Sequence, residues 1–519
     1  MPHPTTGTAH WDEVPEKYNI ALDVSMRHSP EALAMIWRDD AGATRRVTWR
    51  WMRARAARFG TFFRDRGVRP GDRVALVLPG VAGHRRRRAR RAAHRRGRGD
   101  GGTLWGEEAL AFRLDDSAPA LTLATPDRLA AFEASGTGHL IALTPRLLDG
   151  VPEECEPEVT RADDPAVIYY TSGTSGPPKG VVHAHRWLLG HNEFTVCHQL
   201  TQGELFHGAG DWAWSLAKLL GPWRHGAVPF VFHQPGRFDP VALFEAMAAE
   251  GVGNMLLNPT MLRRLRAVLP EAGKQIPLRP RRAYSSSEPL PADLARWFTE
   301  QFHVPLYDYY GLTESYPMIG VLPGTTAPSG SMGRALPGWQ VAVLDDRDRP
   351  VPPGTPGQIC LRARTNPQYP LGYWNRPADT RAVFEGEWFR TGDTATQDDR
   401  GNFYFLGRSD DVIISSGYRI GPYDLEAVLD THPAVAESAV VGDPDPDRGQ
   451  IVHAFIVLAD GHRPSPRLTA SIQEHVQTAH SRFAYPRRVD YVDALPRSTT
   501  HKIQRAALRA AADGRKARS

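Results

Sequence analysis

Residues 166–180 read AVIYYTSGTSGPPKG, an apolar run typical of a buried strand followed by a loop rich in glycine and hydroxyl groups. The glycines permit tight turns, so that backbone N–H groups and hydroxyls surround phosphate oxygens. Lys179 adds a mobile cation, and lysine is scarce here, with six among 63 basic residues. The loop is not a Walker A loop, because Gly180 follows the lysine where Ser or Thr is required. A plain surface turn is the alternative, but the clustered hydroxyls and the scarce lysine favour a phosphate-binding loop.

Length and composition place the chain among large globular enzymes. Its 519 residues exceed one core, since single cores stop growing near about 250–300 residues, so at least two domains are expected. Hydrophobic residues make up 41% and charged residues 23%, which excludes collagen, coiled coil and general disorder. No apolar run approaches the roughly 18 residues of a membrane span, and the N-terminus lacks a secretory pattern, which predicts a cytoplasmic protein. The three cysteines are scattered, which excludes a disulfide framework and a CxxC metal site.

The net charge of +5 comes from one segment. Residues 84–98, HRRRRARRAAHRRGR, hold nine arginines, and without them the charge is +5 − 9 = −4. No nucleic-acid partner is therefore expected for the chain as a whole. The segment follows the strand-like run VALVL, where an amphipathic helix is expected, yet it has no apolar face. Three interpretations stay open: a solvated basic segment, a patch for an anionic partner, or the product of a frameshift in a GC-rich gene.

The rest of the chain alternates strand-like and helix-like runs. Between about residues 165 and 405, apolar runs such as AVPFVF and GNMLL alternate with helical patterns such as PVALFEAMAAEG. This alternation predicts an α/β fold with layered, largely parallel sheets. Near residue 410 the pattern changes to a compact α+β unit. We therefore predict a large N-terminal domain of layered α/β sheets over 1–409 and a small mobile α+β domain over 410–519.

The loop at 170–180 resembles the phosphate loop of the AMP-forming acyl-CoA synthetases, which belong to the adenylate-forming superfamily. The resemblance runs from about residue 49 to about residue 509, except at the arginine-rich segment. DWAW at 211–214 with GPW at 221–223 resembles the pattern of the short- and medium-chain members. The resemblance implies ATP, Mg²⁺ and coenzyme A as cofactors and a small carboxylic acid as substrate, and it leaves a homodimer open. It assigns phosphate binding to the loop residues Thr171, Ser172, Gly173, Thr174, Ser175, Gly176 and Lys179.

A second motif, YYGLTE at 309–314, combines three kinds of group that α-phosphate chemistry needs: an aromatic face, a hydroxyl and a carboxylate. By resemblance Tyr310 stacks on adenine, Thr313 contacts the α-phosphate and Glu314 holds Mg²⁺. A strand end followed by a simple turn is the alternative. Upstream, SSEP at 286–289 resembles the adenine-contacting turn of the family, with Ser287 in the place of the usual glycine and Glu288 after it.

A third motif pairs WFRTGD at 388–393 with an arginine fifteen residues later. A carboxylate accepts both ribose hydroxyls and an arginine adds a donor, so Asp393 and Arg408 form a plausible ribose clamp. A local turn at TGD is the alternative. The resemblance supports the ribose role for both residues and places the domain hinge at Asp410.

Two segments of the C-terminal unit also resemble the family. SSGYRIG at 415–421 resembles the segment used in thioester formation, with Ser416 and Gly417 beside pantetheine and Arg419 near phosphate. A turn before the next helix is the alternative. LPRSTTHKIQR at 495–505 contains Lys502, which matches the adenylation lysine and supplies positive charge where two anions must react.

The predicted activity is an ATP-dependent ligase that forms acyl-AMP and transfers the acyl group to coenzyme A. The acyl pocket is less well determined; the candidates by position are the aromatic residues Trp212, Trp214, Tyr307 and Tyr309. Four alternatives stay open: transfer of acyl-AMP to a carrier protein or amine, activation of an amino acid with Asp211 facing its ammonium group, an inactive member, and polyanion binding by residues 84–98.

Overall fold

A computed structural model describes most of the chain. The described residues are 14–78, 107–126, 129, 139–171, 178–210, 212–234, 238–269, 276–362, 364, 366–408, 411, 413–415, 418–445, 448–479, 484–497 and 503–516. The arginine-rich segment at 84–98 lies outside them, so its three interpretations stay open.

The helices and strands follow the predicted alternation. The α-helices are α1 (Ile20–Met26), α2 (Trp49–Asp65), α3 (Glu107–Ser117), α4 (Glu193–Val196), α5 (Gly221–Arg224), α6 (Pro240–Glu250), α7 (Pro259–Val268), α8 (Ala292–Phe302), α9 (Pro377–Phe384), α10 (Pro422–Leu429), α11 (Pro466–Ala479) and α12 (Arg505–Lys516). Shorter 3₁₀ turns span His185–Gly190 and Trp212–Trp214, and a π-helix spans Leu216–Leu220.

The strands form several sheets. They are β1 (Leu33–Asp39), β2 (Thr44–Thr48), β3 (Val74–Val77), β4 (Leu121–Ala124), β5 (His139–Ala142), β6 (Pro165–Tyr170), β7 (Gly180–Ala184), β8 (Leu205–Gly208), β9 (Val228–His233), β10 (Asn254–Leu257), β11 (Arg282–Ser285), β12 (Leu306–Tyr310), β13 (Ile319–Gly320), β14 (Arg334–Ala335), β15 (Val341–Leu344), β16 (Gly357–Arg362), β17 (Gly372–Tyr373), β18 (Trp388–Gln397), β19 (Phe403–Arg408), β20 (Ile413–Ser415), β21 (Tyr418–Ile420), β22 (Val435–Asp445), β23 (Gly449–Leu458) and β24 (Arg488–Tyr491).

Local sequence explains where the helices begin and end, as α6 illustrates. Asp239 precedes it and accepts hydrogen bonds from the backbone of Val241 and Ala242, which caps the free N–H groups of the first turn. Pro240 occupies the first helical position, where its missing N–H costs nothing. Gly251 ends the helix with a φ of 77°, which glycine adopts without strain.

The largest sheet among the described residues has the strand order β14-β13-β12-β11-β10-β8-β9-β1-β2. Its central pairs, from β12 to β1, are parallel, and both ends are antiparallel. The carboxyl ends of parallel strands meet at one edge, where ligands of α/β proteins usually bind. This edge brings together the segments after β8, β11 and β12, which carry three of the motifs.

The expectation of largely parallel sheets is wrong for two other sheets. β6 and β7 pair antiparallel, as do β15, β16, β18 and β19. The connection between β6 and β7 spans only residues 171–179, and a parallel crossover needs a dozen or more residues. Residues 171–179 therefore connect two antiparallel strands.

The C-terminal part forms its own sheet, in the order β21-β20-β23-β22 with β24 beside β23. Helices α10 and α11 pack on it around buried residues such as Leu425, Val440 and Ile472. The last strand of the N-terminal sheets ends at Arg408 and the first of this sheet begins at Ile413. The prediction of a large N-terminal and a small C-terminal domain is confirmed, while the boundary at 409/410 and the mobility of the small domain stay predictions. Within the described residues, no helix has both the length and the apolar character that crossing a membrane requires.

Candidate active site

A cleft of about 2290 Å³ lies at the carboxyl edge of the large sheet and extends to the C-terminal domain. The predicted site residues that line it are Thr171, Lys179, Trp212, Trp214, Ser287, Glu288, Tyr309, Tyr310, Thr313, Glu314, Asp393 and Arg408. Its C-terminal wall includes Tyr423 and residues 503–507. The fold therefore brings together motifs that are up to about 240 positions apart in the sequence.

The predicted ribose clamp is a connected group of side chains. Asp393 and Arg408 are register partners on the antiparallel strands β18 and β19. Arg408 Nη1 lies 3.1 Å from Asp393 Oδ1, and the Tyr310 hydroxyl donates to Asp393 Oδ2 at 2.5 Å. Burial and the Asp393 carboxylate raise the pKa of Tyr310, which therefore stays a neutral donor. Asp393 lies inside a strand, so the alternative of a simple TGD turn does not describe it.

A second connected group links the predicted metal ligand to the phosphate-loop lysine. The Tyr373 hydroxyl donates to Glu314 Oε1 at 2.8 Å. Lys179 Nζ lies 5.0 Å from the centroid of the Tyr373 ring and 3.2 Å from Asp379 Oδ2. Burial raises the pKa of Glu314, while the hydrogen bond from Tyr373 opposes that shift. The Lys179 ammonium and the Glu314 carboxylate thus both contact Tyr373, which brings them to the same part of the cleft.

Hydrogen bonds hold the loops on which these groups sit. Thr171 N donates to the Lys179 carbonyl at 2.9 Å, and Lys179 N donates to Thr171 Oγ1 at 3.2 Å, which closes the neck of the phosphate loop. His183 Nε2 lies 2.9 Å from the Thr313 carbonyl oxygen. Burial lowers the pKa of His183 to about 3, so the neutral ring donates this hydrogen bond. His183 therefore supports the turn that presents Thr313 and Glu314.

The turn after β11 has a backbone that suits glycine. Ser287 has a φ of 82°, in the left-handed region that side chains rarely adopt. Glycine, which the resemblance implies at this position, adopts this conformation without strain, whereas serine adopts it here with some strain. The Glu288 carboxylate accepts from Thr260 Oγ1 at 2.7 Å and pairs with Arg263 Nη1 at 3.1 Å. Glu288 thereby fixes the turn to α7.

The predicted acyl wall lies on irregular backbone. Trp212 and Trp214 belong to a 3₁₀ turn that leads into the π-helix. Gly210 lets Trp214 approach, since a Cβ at Gly210 would stand 2.9 Å from the indole Cγ. Ser215 Oγ lies 2.6 Å from the hydroxyl of Tyr169 on β6, which fixes this turn beside the phosphate loop.

Tyr309 differs from these tryptophans because it is a core residue for most of its surface. It is 2% exposed, its ring lies 5.0 Å from that of Tyr284, and its hydroxyl is 3.0 Å from His198 Nε2. Only a small part of it reaches the cleft. Tyr307 also lines the cleft.

Several predicted site residues lie outside the described residues, and their roles stay predictions. They are Ser172, Gly173, Thr174, Ser175, Gly176, Asp211, Asp410, Ser416, Gly417 and Lys502. The backbone of Arg419 lies in β21. The chain on either side of residues 498–502 is described: Arg497 pairs with Ile503, and Gln504 N donates to the Pro496 carbonyl at 2.8 Å.

The sequence analysis missed Tyr373 and Asp308, which line this cleft, and His183, which supports the turn at Thr313 without lining the cleft. Asp308 lines the cleft, and its Oδ1 has no hydrogen-bond partner among the described residues. Burial raises its pKa. Its place directly before the YYGLTE motif is a signal that the sequence did offer; Tyr373 and His183 gave none, because only the fold brings them to the motif.

The fold has a cleft between a large and a small domain, lined by the motifs that the sequence predicts for phosphate, adenine and ribose binding. Residues 102–374 match the AMP-binding enzyme family, and residues 424–502 match the AMP-binding enzyme C-terminal domain. The uncharacterized acyl-CoA ligase YtcI of Bacillus subtilis (strain 168) is 31% identical, over 95% of this chain and 96% of that protein. The mitochondrial acyl-coenzyme A synthetase ACSM5 of Homo sapiens is 32% identical, over 98% of this chain and 94% of its own.

A solved structure agrees with these relatives. The anthranilate CoA ligase AuaEII, in complex with anthranoyl-AMP, has a TM-score of 0.83 at 26% identity, over 96% of this chain and 98% of that chain. The chain therefore belongs to the AMP-binding enzyme family, as an ATP-dependent, AMP-forming acid-CoA ligase. ATP and coenzyme A are the cosubstrates of such ligases.

Proposed function

We propose that the cleft activates a small or medium carboxylic acid as acyl-AMP, with Mg²⁺, and that the same chain then transfers the acyl group to coenzyme A. The observation that carries this proposal is the convergence of the Asp393 clamp, Lys179 and Glu314 on one cleft. A ribose acceptor, a phosphate cation and a metal carboxylate are the groups that MgATP requires.

Asp393 and Arg408 bind the ribose hydroxyls, and Tyr310 provides the aromatic face for adenine. Asp308, one strand position from the aromatic pair, accepts a hydrogen bond from the exocyclic amine of adenine. Its carboxyl oxygen without a partner among the described residues supports this role. Ser287 and Glu288 complete the adenine-contacting turn, with Glu288 held by α7.

Glu314 fits a magnesium ligand by its chemistry. Mg²⁺ prefers hard oxygen ligands and is usually held by one or two carboxylates together with substrate phosphates. The Tyr373 hydrogen bond favours the ionised carboxylate against the effect of burial. When bound, the cation neutralises charge on the phosphates.

In the first half-reaction a carboxylate oxygen of the acid attacks the α-phosphorus of ATP. A new bond forms between the carboxylate oxygen and the α-phosphorus. The bond between the α-phosphorus and the oxygen that bridges to the β-phosphorus breaks, and pyrophosphate leaves with that electron pair. Lys502 offsets the charge that develops at the reacting groups, while Lys179 and the phosphate-loop residues hold the departing pyrophosphate. Thr313 hydrogen-bonds the α-phosphate.

In the second half-reaction the sulfur of coenzyme A attacks the acyl carbonyl, the thiol loses its proton to solvent, and AMP leaves. The C-terminal domain rotates about Asp410 between the two halves, so that Ser416 and Gly417 lie beside pantetheine and Arg419 near phosphate. The proposed domain boundary at 409/410 falls between the end of β19 and the start of β20.

The aromatic wall favours short or flat acids. Trp212 and Trp214 on the wall narrow the space for a long chain. The similar AuaEII ligase acts on anthranilate, a flat aromatic acid, which agrees with this preference. The predicted cytoplasmic location and homodimer stay predictions, which cell fractionation and light scattering test.

The decisive experiment is ATP–pyrophosphate exchange on purified protein with acetate, butyrate, hexanoate, octanoate, decanoate, dodecanoate, benzoate and several amino acids. Exchange with a carboxylic acid, followed by thioester on addition of coenzyme A, is the expected result. Fastest exchange with decanoate or longer acids would contradict the acid class. Absence of exchange from folded protein would contradict the proposed function and favour an inactive member.

A further inference from the structure

The C-terminal domain contacts β19, the strand that carries the proposed ribose ligand Arg408, through Tyr423, the second residue of α10. The Tyr423 ring lies 5.2 Å from Phe405 on β19, with an interplanar angle of 54°. Phe405 in turn lies 6.0 Å from Tyr310, the proposed adenine platform. The backbones also approach closely, because a Cβ at Gly407 would stand 3.2 Å from Pro422 Cδ. The start of α10 therefore rests on the strand that carries Arg408.

The other side of Tyr423 holds Arg505, the first residue of α12. Arg505 Cζ lies 4.2 Å from the centroid of the Tyr423 ring, and Nη1 donates to the Tyr423 hydroxyl at 2.8 Å. Arg505 Nη2 also donates to both carboxylate oxygens of Glu426, each at 2.6 Å. Burial raises the pKa of the Tyr423 phenol to about 12, so it remains a neutral acceptor for the guanidinium.

Arg505 is three positions after Lys502, and the intervening chain faces the cleft. Ile503 and Gln504 line the cleft together with Arg505. Arg497 pairs with Ile503, which holds together the two ends of the segment that contains Lys502. Tyr423 thus contacts both Phe405, beside the proposed adenine platform, and Arg505, at the end of the segment that contains Lys502.

We propose that Tyr423 is a positioning residue that docks the C-terminal domain in the orientation for adenylation. This inference rests on the proposed function, because it presupposes the role of Lys502 in forming acyl-AMP. The Tyr423–Phe405 contact crosses from one domain to the other, so rotation of the domain separates the two rings. The contact therefore assists the first half-reaction and is absent from the second.

The test compares the two half-reactions in full-length Tyr423→Ala and Tyr423→Phe variants. ATP–pyrophosphate exchange with benzoate or hexanoate measures adenylation, and thioester formation from supplied benzoyl-AMP or hexanoyl-AMP and coenzyme A measures the second half. Tyr423→Ala should slow exchange by about 30-fold and Tyr423→Phe by about fivefold, since the latter keeps the ring contact and loses one hydrogen bond. Thioester formation should change by less than about threefold.

Tyr491→Phe is the matched control. It removes a tyrosine hydroxyl of the same domain, which lies 2.9 Å from Thr469 Oγ1. It should change neither half-reaction. If Tyr423→Ala does not fold, Phe405→Leu removes the same ring contact from the N-terminal domain, and its loss should again be confined to exchange.

The outcomes separate this inference from the proposed function. A wild-type chain without exchange on any acid contradicts the proposed function itself. An active wild type whose Tyr423 variants lose both half-reactions equally, lose only thioester formation, or lose neither, overturns the positioning role.

Discussion

The two walls of the cleft are built in different ways. On the nucleotide wall, Tyr310, Asp393 and Arg408 sit on strands and bond directly to one another. On the acyl wall, Trp212 and Trp214 sit on a 3₁₀ turn beside a π-helix, where packing sets their positions. Strand ladders constrain side chains more tightly than irregular turns do. We expect the step common to all acids to depend on the first wall and the choice of acid to depend on the second.

The largest effect is expected from Lys502→Ala, which removes the proposed adenylation lysine. Acyl-AMP formation should fall by about 1000-fold for every acid, because charge development at the reacting groups is no longer offset. Thioester formation from supplied acyl-AMP should be spared. Lys17→Ala, far along the chain, is the control; equal loss of both half-reactions would refute the role of Lys502.

Asp393→Ala tests the nucleotide wall alone. The KM for ATP should rise about 30-fold, because two ribose hydroxyls lose their acceptor before any chemistry occurs. The rise should be the same with each acid that the enzyme accepts. Asp399→Ala, an exposed carboxylate in the turn between β18 and β19, should leave the KM unchanged. An ATP dependence that Asp393→Ala does not alter would exclude the ribose assignment.

Trp214→Ala tests the acyl wall alone. The ratio of kcat/KM between benzoate and octanoate should shift about tenfold toward the longer acid, since a bulky wall is removed. The KM for ATP should stay within about twofold. Tyr284→Phe is the control, because its buried hydroxyl donates to the Val321 carbonyl; it should lower the free energy of unfolding by about 1 kcal/mol without changing the ratio. If Trp214→Ala changes the KM for ATP but not the preference between the two acids, the proposal that the two walls have separate roles is contradicted.

The smallest effect concerns the pH profile of the nucleotide wall. Burial raises the pKa of Glu314, and the ionised carboxylate is the proposed form, so kcat/KM should fall as pH drops through that raised value. Tyr373 donates a hydrogen bond that stabilises the ionised form. Tyr373→Phe should therefore move the acid limb to higher pH. Tyr404→Phe is the control and should leave the acid limb in place, because the Tyr404 hydroxyl lies near Asp398 in a surface turn. An acid limb that stays in place in both variants would contradict the effect of Tyr373 on the pKa of Glu314.

Part of the fold was predictable because the spacing of hydrophobic residues indicates which segments form helices and which form strands. The helical pattern PVALFEAMAAEG matches α6, and the apolar runs AVPFVF and GNMLL match β9 and β10. Strand direction was less accessible, and the expectation of parallel pairing was wrong for β6 and β7. Periodicity reports which face of an element is buried, whereas connection length and neighbouring strands decide its direction.

For the site, the sequence revealed residues that share a short motif and missed those that join it from elsewhere. Thr313 and Glu314 belong to one hexapeptide, YYGLTE, whose aromatic, hydroxyl and carboxylate groups indicate phosphate chemistry. Tyr373 and His183 lie 59 and 130 positions from their partners in that motif, and nothing local marks them. Contacts over such separations depend on the topology of the whole sheet.

The sequence by itself determined the kind of chemistry, because phosphate loops, carboxylates and scarce lysines have local signatures that follow from what ATP requires. It also indicated the alternation of strands and helices in the middle of the chain, through the spacing of apolar side chains. Only the tertiary structure decided that the Asp393 clamp includes Tyr310, that Glu314 is tied to Lys179 through Tyr373, and that Tyr423 joins the two domains. The physical reason is that hydrogen bonds and ring contacts act over a few ångströms in space, and chain folding alone decides which distant residues come that close.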